Sequence, residues 1–71
     1  MSKTNWEIFD PVSKTKRIVV IEITQSGASF DFMARFSDES IAVIASGKNA
    51  APSESETLAL AKKLVTDQRT I

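Results

Sequence analysis

The chain has 71 residues, 42% hydrophobic and 25% charged, and its nine basic and nine acidic side chains cancel. That length makes one small domain over residues 1–71, whose core buries only roughly 60% of the surface the unfolded chain exposes. With no Cys and no His, disulfides and the common structural-metal sites are excluded as supports, which leaves self-association, and zero net charge provides no overall field toward nucleic acid or anionic membrane.

Taken in chain order, Asn5–Phe9 (NWEIF) is a short strand candidate suited to a sheet edge, and Asp10-Pro11 opens a turn that runs to about Thr15. Lys16–Thr24 (KRIVVIEIT) is rich in β-branched residues and reads as a strand. Gln25, Ser26 and Gly27 supply turn chemistry, with Gly27 able to take positive φ. Ala28–Phe36 then alternates, placing Phe30, Phe32, Ala34 and Phe36 on one face and Ser29, Asp31, Met33 and Arg35 on the other. The two runs form a hairpin.

After the polar tetrapeptide Ser37–Ser40, Ile41–Ser46 (IAVIAS) is a third strand candidate closed by Gly47. A rival reading has Ser37 capping a short helix with Asp38 and Glu39 in its first turn. The two Ile and one Val favour the strand. Ser53 and Glu56 have capping-box spacing, so a helix should begin at about residue 54. Leu58, Ala61, Leu64 and Val65 form its apolar stripe, with Leu60 at the flank and Lys62, Lys63, Asp67 and Arg69 opposite. The expected fold class is α+β: an antiparallel sheet of three to four strands in a meander, followed by one C-terminal helix packed on one face.

One helix covers one sheet face, and the Phe30, Phe32 and Phe36 side is the natural choice. The second face then carries Ile18, Val20 and Met33, together with one alternating set from the third strand. An apolar patch of this kind tends to mark an interface. A second copy of the chain or a protein partner would cover it; otherwise the amino-terminal segment, with Trp6 and Ile8, would fold back over it. The first reading is favoured.

Chemistry finds little to stand on. Without Cys or His, nucleophilic catalysis of the Cys–His and Ser–His types and the usual metal sites are excluded, so no catalytic, cofactor-binding or metal-ligating residue is expected. Glu54 and Glu56 are two apart on a helix and do not face each other, while Asp38 and Glu39 are neighbours in a turn; both pairs read as solvated surface. Ser46-Gly47-Lys48-Asn49 has Ala42 and Asn49 where a phosphate loop needs a Gly and a Ser or Thr. The longest apolar run, Ile41–Ala45, is far short of the roughly 20 residues of a membrane helix. A cytoplasmic protein without membrane contact is expected.

The basic cluster Lys14, Lys16 and Arg17, joined by Arg35 and Trp6, provides the alternative reading: a single-stranded nucleic-acid-binding module that works by charge and stacking. Against it, charges at a strand start commonly protect an edge, and strand Phe residues are more often core than stacking platform.

From about residue 21 to 65 the succession IEITQSG, FDFMARF, SDESIAVIASG and SESETLALAKKLV resembles the YegP-like small domains of bacteria and archaea. The resemblance implies a three-stranded sheet with one helix, pairing with another repeat or copy, and no catalytic residues. IVVIEITQSG is similar to strands of HicB-like antitoxins, and the order of four strands and a helix is similar to that of PUR-like and coactivator-type single-strand-binding domains. The expected function is a small, non-catalytic protein-interaction or regulatory module of bacterial or phage type, homodimeric and bound to a further protein.

Overall fold

A computed structural model describes residues 2–39 and 42–69. Four strands, β1 (Ser2–Asp10), β2 (Thr15–Ser26), β3 (Ser29–Phe36) and β4 (Val43–Ala51), are followed by one helix, α1 (Glu54–Arg69). The sheet is an antiparallel meander in the order β1-β2-β3-β4. The amino-terminal strand is longer than Asn5–Phe9, and it makes the sheet four-stranded where the YegP-like resemblance implied three.

The β2–β3 hairpin turns on Gly27-Ala28, with Ser26 opposite Ser29. Gly27 has φ 63°, and Ala28 is not among the residues with positive φ, which is the pattern of a two-residue II′ turn whose twist matches that of the strands it joins. Within the hairpin Val19 faces Phe36, Ile21 faces Ala34 and Ile23 faces Phe32. All six are buried, and Ala61 and Val65 of α1 close over them.

The strand expected over Ile41–Ser46 is β4: it starts at Val43, Ile41 lying outside the described residues, and it continues through Gly47 to Ala51. Gly47 does not end the strand because it faces Phe32. A Cβ there would come within 2.7 Å of the Phe32 ring, so the ring occupies the space that any other side chain would need. Register shifts follow between Phe30 and Phe32. At that bulge Asn49 takes φ 52° and its N–H donates to Asp31 Oδ1 at 2.8 Å, a conformation Asn tolerates better than most residues.

Ser53 caps α1 as its spacing predicts: the Glu56 N–H donates to Ser53 Oγ at 3.3 Å. The buried stripe, however, is centred on Thr57, Ala61 and Val65, with Leu58, Leu60 and Leu64 half-buried at its flanks. Thr57 tolerates full burial because its hydroxyl donates to the Ser53 carbonyl at 2.8 Å. Lys62 is not opposite the core as the pattern suggested; its ammonium lies 5.5 Å from the Trp6 ring. The helix lies over β2, β3 and β4.

Candidate interaction face

The period-two pleat of the strands decides what the helix leaves uncovered. In β1 the even-numbered Trp6 and Ile8 are half-buried against the core, while Lys3, Asn5, Glu7 and Phe9 are exposed. Trp6 and Ile8 therefore belong to the helix-covered side, and they do not fold back over Ile18, Val20 and Met33. That second face stays open among the described residues.

Registration arranges the open face in rows. Val20 lies between Asn5 and Arg35, with Val43 beyond Arg35; Glu22 lies between Lys3 and Met33, with Ser46 beyond Met33. Glu7 is opposite Ile18, and Phe9 is opposite Lys16. Phe9, Met33 and Val43 are 62%, 43% and 49% exposed, whereas Val20, between Asn5 and Arg35, is only 8% exposed. An ion pair between Arg35 and Glu22 crosses the centre of the face. A shallow hollow of about 440 Å³ opens beside it, lined by Glu22, Asp31, Met33, Ser46 and Lys48. Ile18, Val20 and Met33 thus share one surface, broken by charges of both signs.

The basic residues are dispersed. Trp6 is on the covered side, Lys16 is on the open face beside Phe9, and Lys14 sits in the β1–β2 turn with φ 59°. Arg35 is held by Glu22. Arg17 is committed to an acidic cluster at one end of the sheet, where Nη2 donates to Asp38 at 2.7 Å and Glu39 at 3.1 Å, and Nη1 approaches Asp10 at 3.4 Å. Its guanidinium also lies 3.6 Å from the centre of the Phe36 ring, a cation–π contact. Sequence pattern alone groups Arg17 with Lys14 and Lys16; only the meeting of the β1–β2 and β3–β4 loops reveals its acidic partners.

This cluster has a pH signature. The hydrogen bond from Arg17 is the largest influence on the Asp38 carboxyl, and with help from the guanidinium charge it holds that carboxyl below the usual aspartate range against burial, which is second in size and acts the other way. A carboxyl depressed by folding contributes stability that is present above its unfolded value, about 3.9, and is lost as pH falls through the lower folded value. Asp38→Asn should therefore flatten the fall of melting temperature below about pH 4 while retaining the wild-type slope above pH 6. An unchanged acid slope would contradict the assignment.

Among the described residues there is no group of three or more acidic, His or Cys side chains that could hold a metal ion, and no helix is long and apolar enough to cross a membrane. No family model, curated protein or solved structure matches the chain.

Proposed function

We propose that the chain is a small, non-catalytic interaction module that self-associates through its sheet and binds another protein with its open face. The observation that supports this reading is the uncovered surface around Ile18, Val20 and Met33, where Met33 and Val43 are nearly half exposed. Its chemistry suits a partner that offers apolar side chains to Met33 and Val43 and charges of both signs to the Arg35–Glu22 ion pair beside them. The dispersal of Trp6, Lys14, Lys16, Arg17 and Arg35 favours a protein over a nucleic-acid strand, and the YegP-like resemblance leads to the same reading, with pairing between copies. A cytoplasmic, bacterial or phage setting remains part of the proposal.

Met33→Lys tests the face with little disturbance of the fold, because Met33 is exposed and stands opposite Glu22. The reading expects a protein captured from bacterial lysate by the immobilised wild type to be lost with Met33→Lys, at a nearly unchanged melting temperature. The same proteins retained by both would overturn it. A labelled single-stranded DNA at low salt, where counterion release makes binding strongest, should show no anisotropy change at tens of micromolar protein.

A further inference from the structure

The two edges of the sheet differ. β4 is irregular, with register shifts at both ends of its pairing and a left-handed Asn49, features that keep an edge from templating another strand. β1 has none of these. Its register with β2 runs without a shift from Ser2 opposite Ile23 to Asp10 opposite Thr15, it contains no Pro, and α1 lies over β2, β3 and β4. Along this edge a row of backbone N–H and C=O groups faces outward without a neighbouring strand among the described residues, which is the arrangement used in β-strand addition.

The side chains of β1 select the occupant. Two copies related by a two-fold axis pair antiparallel, so each register keeps exposed residues opposite exposed ones and half-buried residues opposite half-buried ones. With the axis at Asn5, Lys3 of each copy stands opposite Glu7 of the other on the open side, and Thr4 stands opposite Trp6 on the helix side. Shifting the axis to Lys3 or Glu7 brings like charges together, while axes at Thr4 or Trp6 leave both charges opposite uncharged side chains. Lys3 and Glu7 make no ion pair within the chain among the described residues, so both are available. Opposite charges directly across a strand pair stabilise it, and like charges destabilise it.

We infer that β1 pairs with β1 of a second copy in this register, joining two four-stranded sheets into one continuous sheet. This rests on the reading that the chain self-associates through its sheet, and it deepens that reading by naming the edge and the contacts. The two open faces then lie side by side on one surface, and each half-buried Trp6 gains cover from the other chain.

Charge exchange tests the register. Lys3→Glu alone and Glu7→Lys alone each place like charges opposite each other twice per dimer, and each should weaken self-association about tenfold or more. Mixing the two variants should restore it, because the Lys3→Glu chain then meets opposite charge at both places on the Glu7→Lys chain. Sedimentation equilibrium reads the masses, and native mass spectrometry identifies the mixed dimer. Slower hydrogen exchange at β1 amides in the mixture than in either variant alone provides an independent readout. A wild type that dimerises but is indifferent to both exchanges, and dissociates with Met33→Lys, would overturn the edge pairing and retain self-association through the face. A wild type that is monomeric throughout would overturn both.

Discussion

Replacing Asp10 with Ala is expected to lower the stability of the domain by about 1.5–3 kcal/mol, the range for losing a hydrogen bond to a charged group. The residue is fully buried where β1 turns into β2. Its Oδ1 accepts from the Val12 N–H at 3.1 Å and its Oδ2 from the Ser13 hydroxyl at 3.0 Å, while its carbonyl accepts from the Lys14 N–H at 2.7 Å. The carboxylate thus ties the turn to Arg17, which in turn holds Asp38 and Glu39 across the end of the sheet. A domain of this size draws roughly 3–5 kcal/mol from its own core, so the loss is a large share of the total. Urea denaturation should show a lower midpoint with an unchanged slope, and Asp10→Asn, which keeps an acceptor for Val12, should lose less. An unfolding free energy for Asp10→Ala within about 0.5 kcal/mol of wild type would show that the turn does not depend on the carboxylate.

Enlarging Gly47 should be comparably damaging, for a steric reason. The Phe32 ring is buried, and its Cε1, Cδ1 and Cζ atoms would lie 2.7, 3.4 and 3.4 Å from a new Cβ. Gly47→Val must displace that ring into a core already filled by Ile23, Ala34 and Ala61, at about 1–3 kcal/mol for overpacking. Gly47→Ala should fall at the lower end of the same range. Because ring and backbone compete for one space, Phe32→Leu should be less costly with Ala at this position than with the native Gly. A double-mutant cycle measures the difference, and strict additivity would contradict the contact.

The alternation of Ala28–Phe36 and the β-branched run before it made the central hairpin legible, since each face of those strands has its own chemistry. The same parity put Ile18, Val20 and Met33 on the open face. Ser53 marked the start of α1 because a cap is a local device. What escaped sequence reasoning depended on contacts made at a distance. Gly47 looks like a strand terminator until Phe32 lies against it, and Asn49 looks like a turn residue until Asp31 receives its N–H. Thr57 does not stand out in the helix stripe, because a hydroxyl reads as exposed unless its bond to the Ser53 carbonyl is known. Ser2, Lys3 and Thr4 lack the apolar alternation of a strand, and they join β1 because β2 is long enough to pair with them. Arg17 reads as one of three neighbouring positive charges, and its carboxylate partners come from the end of β1 and from the β3–β4 loop, which meet it only after the meander forms.

Self-association through the sheet is the central claim, and it is tested most directly by the mass and melting temperature of the wild-type chain over a hundredfold dilution. Binding that occurs only in the folded state stabilises by mass action. The account predicts a mass that rises from that of one 7.8 kDa chain toward twice that value as concentration increases, with melting temperature rising in step. A mass of 7.8 kDa at every concentration, with melting independent of dilution, would contradict it.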